Sequence, residues 1–349
     1  MLRASLITLG DPERLTGGYL YHRRMAAAAG KHDAVLRFES CPEVVFPFGA
    51  VAARGVLHRA ERDADVVVID SIAAAETAPW TRRAEVPLVA MLHQVPGGID
   101  WGRVRTRMQS RLDERTYRSA RILMVASETL AADLRARGFP AAKIRVVAPG
   151  RDPARSILPP PDLRAGRRAA FLCVANWIPR KGILDLLDAM SRLPGDAATL
   201  HLVGDDVADE VYGDRVRARL RDPALADRVV VHGPRAAAEV VAMYEAADVF
   251  VLPSTKEPYG TVLGEALAAG LPLVGWDAGN LPHLATDGRE GIVLPVGDVS
   301  GLAVALEELA TNDERRAAMA AAARRRGAAL PTWDDTAHQF FSTLRQVVS

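Results

Sequence analysis

Glu257 and Glu265 stand eight positions apart in Glu257-Pro258-Tyr259-Gly260-Thr261-Val262-Leu263-Gly264-Glu265-Ala266-Leu267-Ala268-Ala269-Gly270-Leu271-Pro272. The residues around them give two carboxylates a setting in which they can hold a polar ligand. Val249-Phe250-Val251-Leu252 reads as a buried strand ended by Pro253, and Val262 to Ala269 reads as a helix stopped by Gly270 and Pro272. Both glutamates then fall at the carboxyl edge of a sheet, where the crevices of open parallel sheets lie. Free N–H groups at the helix start, around Gly260, Thr261 and Val262, favour a phosphate. A diphosphate there leaves Glu257 and Glu265 to accept hydrogen bonds from hydroxyls on either side of it.

A second cluster, Val174-Ala175-Asn176-Trp177-Ile178-Pro179-Arg180-Lys181-Gly182, joins a strand to a helix. Arg180 and Lys181 stand at the helix start, where positive charge opposes the macrodipole unless an anion compensates. A phosphate is the expected partner, and Arg180 is open to reading as an exposed neighbour of Lys181. Thr16-Gly17-Gly18-Tyr19 lies between a strand and a helix, where glycine admits a ligand close to the backbone or simply forms a tight turn. His93, in Leu92-His93-Gln94-Val95-Pro96, ends a strand and is either a structural hydrogen-bonding residue or a site residue. Ser127 ends the next strand and is equally suited to capping the following helix. Asp205-Asp206 reads as a strand-end turn, and no histidine or carboxylate cluster shows metal-ligand spacing, so no metal site is expected.

Apolar runs position these residues. Val66–Ile69, Leu88–Leu92, Ile122–Ala126 and Ile144–Val147 alternate with helical segments in the first half, after a first strand near residues 1–10. Phe171–Val174, Leu200–Val203, Val229–His232, Val249–Leu252 and Leu273–Gly275 do so in the second, with helices expected near 182–192, 214–221, 236–247, 262–269 and 299–310. Two doubly wound α/β domains follow. Ala148-Pro149-Gly150-Arg151-Asp152-Pro153 and Pro159-Pro160-Pro161 suit a linker, giving domains over 1–160 and 161–330. Pro331 onward, with Ala337, Phe340, Phe341, Leu344 and Val347 on one stripe, reads as a terminal helix over 331–349.

The 349 residues suit two cores, and 49% hydrophobic content argues for a chain folded along nearly its whole length. The net charge of +1 implies no bulk attraction to nucleic acid or anionic lipid. Cys41 and Cys173 make a disulfide framework improbable, the first apolar run is too short for a signal peptide, and no stretch approaches the roughly 20 apolar residues that span a bilayer. A cytoplasmic protein with at most peripheral membrane contact is expected. Ile99 to Arg121 reads as a basic helix carrying Arg103, Arg105, Arg107, Arg111, Arg115, Arg118 and Arg121 beside an apolar stripe of Trp101, Val104, Met108 and Leu112. That stripe is expected to pack on its own domain, with contact to acidic lipid as the alternative.

The Glu-x7-Glu pattern of Glu257 and Glu265, with Pro258-x-Gly260 and Ala266-x-Ala268-x-Gly270-x-Pro272, resembles glycosyltransferase family 4, retaining enzymes of the GT-B fold. The resemblance implies an α/β architecture of two Rossmann-like domains facing a central cleft, with the terminal helix crossing back to the first domain. It implies a nucleotide diphosphate sugar as donor substrate, an unidentified acceptor, and neither cofactor nor metal. By the same resemblance Glu257 faces donor-sugar hydroxyls, Glu265 holds the ribose, Lys181 and an arginine hold the diphosphate, Gly17 and Gly18 approach donor phosphates and acceptor, and His93 lies near the donor sugar. Asn176 stands where one alignment puts the arginine, so Arg180 is the candidate replacement. A nucleotide-sugar epimerase or hydrolase and a non-catalytic sugar-nucleotide-binding protein are the alternative readings.

Overall fold

The computed structural model describes residues 1–11, 17–43, 48–99, 102–151 and 156–349. Thr16, Trp101, Asp152, Pro153 and residues 44–47 lie outside them. The chain divides into two compact units, Met1–Gly150 with Pro331–Ser349, and Arg151–Leu330. The division falls ahead of the Pro159-Pro160-Pro161 stretch.

The first unit is built on strands β1 (Leu2–Leu9), β2 (Ala34–Cys41), β3 (Val66–Asp70), β4 (Leu88–Leu92), β5 (Ile122–Val125) and β6 (Ile144–Val146). They pair in the order β2-β1-β3-β4-β5-β6, every pair parallel. Every residue of β3 and β4 is buried, which is why these strands read as unbroken apolar runs. β2 is an edge strand not legible in the sequence, because Arg37, Glu39 and Ser40 interrupt any apolar run. The terminal helix Trp333–Val348 belongs to this unit and buries the stripe Ala337, Phe340, Phe341, Leu344 and Val347. Its start is closed by a capping box between Thr332 and Asp335. Thr336 Oγ1 donates to the Ala148 carbonyl at 2.9 Å, and Arg121 donates to the Val347 carbonyl at 2.9 Å.

The second unit carries β7 (Ala169–Val174), β8 (Ala198–Val203), β9 (Val229–Gly233), β10 (Val249–Leu252), β11 (Leu273–Trp276) and β12 (Gly291–Leu294). Their order is β9-β8-β7-β10-β11-β12, again all parallel. Counted from β7, this is the 3-2-1-4-5-6 order of dinucleotide-binding sheets, and the order reverses between β7 and β10. In the first unit the reversal lies between β1 and β3. β12, also at an edge, is a further strand absent from the sequence reading. Helices over Ile183–Met190, Ala237–Ala246, Thr261–Ala269 and Val299–Thr311 fall where the periodicity predicts them, while Glu210–Arg219 starts earlier because Asp209 caps it by accepting from Tyr212 N at 2.9 Å.

The basic helix, Arg103–Ser119, docks by a different face from the one expected. Val104 is 83% exposed and Met108 53%, whereas Asp113, Thr116 and Tyr117 are buried. Specific hydrogen bonds select that face: Thr116 Oγ1 donates to the Ala74 carbonyl at 2.7 Å, and Asp113 accepts from Gly97 N at 2.8 Å. These two bonds pair Thr116 Oγ1 and one Asp113 oxygen, while the other Asp113 oxygen and the Tyr117 hydroxyl are buried without a hydrogen-bond partner among the described residues.

Candidate functional site

In the second unit the loops after β7 and β10 meet at the point where the strand order reverses. Gly182 makes the meeting possible. Its φ is +69°, and a Cβ there would stand 2.1 Å from the Pro253 carbonyl oxygen, so only glycine lets the two loops touch. The Arg180 carbonyl ties them further, accepting from Thr255 N at 2.8 Å and Ser254 Oγ at 3.0 Å. Lys181 Nζ consequently lies in direct hydrogen-bond contact with Glu257 Oε2. Arg180 donates to the Lys256 carbonyl at 3.0 Å and stands 3.8 Å from the same Glu257 oxygen.

The side chains of Lys181 and Glu257 are each 12% exposed and that of Arg180 20%, so the charges are shielded but reachable. The anion expected to compensate the two cations is thus present within the chain, as the Glu257 carboxylate. Arg180 is not a solvent-facing neighbour. Asn176, in the position of the missing arginine, uses its Oδ1 to accept from Asp205 N at 3.1 Å and so fixes the turn after β8. Asp205 in turn accepts from Val207 N at 3.0 Å, and Asp206 stands 3.7 Å from Arg217, which makes both carboxylates turn residues.

Gly260, at φ +74°, opens the helix Thr261–Ala269, a conformation that costs other residues but not glycine. Among the described residues no group accepts from Thr261 N or Val262 N, while Leu263 N and Gly264 N both donate to the Gly260 carbonyl. Two N–H groups at the positive end of the helix are therefore available to an anion. One turn further on, Glu265 accepts from the Tyr244 hydroxyl at 3.2 Å. Burial, reinforced by Glu265, raises the Tyr244 pKa well above that of an ordinary phenol, so the hydroxyl remains a donor. The segment after β11 clamps the Glu257 loop from the other side: Asn280 N donates to the Glu257 carbonyl at 2.8 Å, and Asn280 Nδ2 to the Tyr259 carbonyl at 3.0 Å. Tyr244 and Asn280 were not singled out from the sequence; Gly279-Asn280 directly after an apolar run was the available signal.

The first unit gathers a different set at its own strand ends. A Cβ on Gly18 would lie 3.4 Å from the His93 ring, so Gly18, with Gly17 before it at the start of the helix Gly17–Ala28, adjoins His93. The same helix supplies His22, whose Nε2 is 3.0 Å from Asp70 Oδ2 at the end of β3. The His22 and His93 rings meet edge-on with centroids 4.8 Å apart. Ser71 links the two strand ends, its hydroxyl donating to Asp70 Oδ1 at 3.1 Å and accepting from His93 N at 3.3 Å.

Burial alone would raise the Asp70 pKa, but His22 beside it, and then His93, hold it below the ordinary carboxylate value. Burial, helped by His22, pushes the His93 pKa down to about 3 against the pull of Asp70, so this imidazole is neutral near pH 7. One ligand atom from each of His22, Asp70 and His93 lies within 4.8 Å of the others, a grouping of metal-ligand type that the sequence spacing did not reveal. Strands β3 and β4 and a helix bring together three residues far apart in the chain. Ser127 acts as the cap of the helix Glu128–Ala136, accepting from Leu130 N at 3.2 Å. Cys41 and Cys173 are free, buried thiols, each pushed up to about 12 mainly by burial, which favours the protonated form near pH 7.

Two parallel, doubly wound six-stranded sheets, the second with paired cations and a helix start at its switch point, are the architecture of a GT-B protein. Residues 3–150 match the glycosyl transferase 4-like domain, and residues 158–326 match glycosyl transferases group 1. Glycosyltransferase domains thus match both halves of the chain. The chain is 32% identical over 223 residues to the GDP-mannose-dependent alpha-(1-6)-phosphatidylinositol monomannoside mannosyltransferase of Mycobacterium tuberculosis, spanning 59% of this chain and 57% of that protein. To the D-inositol 3-phosphate glycosyltransferase of Stackebrandtia nassauensis it is 34% identical over 213 residues, spanning 56% and 47%. The chain thus spans about half the length of these curated relatives. Anabaena HepE, solved in complex with UDP and glucose, shares the fold with a TM-score of 0.82 at 21% identity over 98% of this chain and 99% of that one. The sucrose-phosphate synthase of Thermosynechococcus elongatus gives 0.85 at 21% identity over 99% of each. Among the described residues no helix is long and apolar enough to cross a membrane.

Proposed function

We propose that the chain transfers a sugar from a nucleotide diphosphate sugar to an acceptor hydroxyl with retention of anomeric configuration and without a metal ion. The observation that carries this reading is the meeting of Lys181, Glu257 and the helix start at Thr261 at the switch point of the second sheet. The diphosphate takes the Thr261 and Val262 N–H groups and draws Lys181 and Arg180 from Glu257, which turns to the hydroxyls of the donor sugar. Glu265, one helical turn along, accepts from the ribose hydroxyls. The bond from the anomeric carbon to phosphate breaks, and its electron pair leaves with the diphosphate. The acceptor oxygen bonds to the same face and its proton passes to the departing phosphate oxygen. Charge growing on the leaving group is met by fixed cations and amides, the arrangement most effective at lowering such a barrier. Gly17, Gly18 and the neutral His93 belong to the acceptor-side unit in this reading.

Melting temperatures measured across uridine, guanosine and adenosine diphosphate sugars test donor binding, since a ligand at a hundred times its Kd stabilises by about 2.7 kcal/mol. One donor should stand out, and NMR of the product formed with it should show the donor's anomeric configuration. A panel without any stabilising nucleotide sugar rejects the reading, and an inverted product rejects retention.

A further inference from the structure

The helix Arg103–Ser119 presents to solvent a face that the proposed transfer does not use. Val104, Arg107, Met108, Arg111, Arg115 and Arg118 follow one another at steps of three, one, three, four and three residues, which places them along one side over about 21 Å. Among the described residues the side chains of Arg107, Arg111 and Arg115 have no ion-pair or hydrogen-bond partner, whereas Arg118 pairs with Glu114 at 3.3 Å and lies over the Phe139 ring. A groove of about 820 Å³ flanks the carboxyl-terminal half, lined by Arg82, Arg111, Arg115, Arg118 and Arg121 against the two carboxylates Glu85 and Glu114. The concentration of cations is local, because the whole chain carries a net charge of only +1.

Charge by itself would suit any polyanion. The apolar pair decides between them: Val104, 83% exposed, and Met108, 53% exposed, sit one turn apart in the same row as the arginines. A soluble polyanion offers these side chains nothing, while a bilayer receives them at the boundary between headgroups and acyl chains as the arginines meet lipid phosphates. We propose that this face is a docking surface for an anionic membrane. The helix lies in the plane of the interface, and the groove beside Arg82 takes a phosphate-bearing headgroup.

Sedimentation with vesicles of one part phosphatidylglycerol to two parts phosphatidylcholine tests this. The full chain should partition onto these vesicles, not onto pure phosphatidylcholine, and should be released by about 0.5 M salt, where surface charges are screened. Arg111→Gln with Arg115→Gln should weaken partitioning about 25-fold, roughly fivefold for each charge. Val104→Ser with Met108→Ser should weaken it about tenfold. All four positions are exposed, so melting temperatures should be unchanged, as should stabilisation by a nucleotide sugar, which keeps the result separate from the proposed activity. Absence of partitioning, equal partitioning onto neutral vesicles, or wild-type partitioning of the arginine variant overturns the proposal. So does a serine variant that binds normally while soluble polyphosphate displaces the protein, because the surface would then recognise a soluble polyanion.

Discussion

The two units use the same material, six parallel strands wrapped by helices, and prepare opposite electrostatic environments at their strand ends. At the reversal between β7 and β10 the second unit holds Lys181, Arg180 and Glu257, charged and partly accessible. At the reversal between β1 and β3 the first unit holds His22 and Asp70 fully buried, beside a His93 kept neutral. Accessible paired charges can exchange partners when an anion arrives, whereas a buried pair can only keep its geometry. One sheet edge is thus arranged for binding charge and the other for holding a ring in place.

The largest expected effect comes from breaking the buried pair. Asp70→Ala should destabilise the first unit by about 3–5 kcal/mol, because His22 is left without its partner in a dry setting. Since Asp70 titrates below its unfolded value of about 3.9, the contribution is fully present above that pH and is lost as pH falls through the lower folded value. Urea unfolding from pH 7 downward should show wild type and variant converging in acid. A constant gap at all pH values would remove the ion pair from the explanation.

Next in size, Lys181→Ala should slow sugar transfer about 10²–10³-fold while leaving the melting temperature nearly unchanged. If this variant unfolds and the Asp70 variant does not, the contrast between the units is reversed. Glu265→Ala should weaken binding of the free nucleotide diphosphate about tenfold or more, a charge-assisted hydrogen bond being worth roughly 1.5–3 kcal/mol; calorimetry with unchanged affinity rejects a ribose role. Arg180→Ala should cost about tenfold in rate, less than Lys181→Ala, because its guanidinium is also held by the Lys256 carbonyl. A rate equal to wild type would leave Lys181 and the helix amides as the phosphate clamp. The smallest effect is expected from chelator, which should leave transfer unchanged; loss of activity restored by manganese would direct attention to His22, Asp70 and His93.

The α/β class, the buried central strands and the segments that carry Glu257, Glu265, Lys181 and His93 are legible in the sequence, because fully buried parallel strands and helix stops leave local signatures. The sequence does not reveal β2 or β12, whose edge positions tolerate polar or short segments. Which distant residues meet is set by how the strands and loops pack. Glu257 compensates Lys181 because Gly182 lets two loops touch, and His22, Asp70 and His93 converge because strand order places β3 beside β4 under the helix Gly17–Ala28. That packing also decides which face of the basic helix is buried, through Thr116 and Asp113 and against the apolar stripe. Local periodicity records which residues could be buried, while side-chain hydrogen bonds between distant segments choose among faces, and no local pattern encodes those bonds.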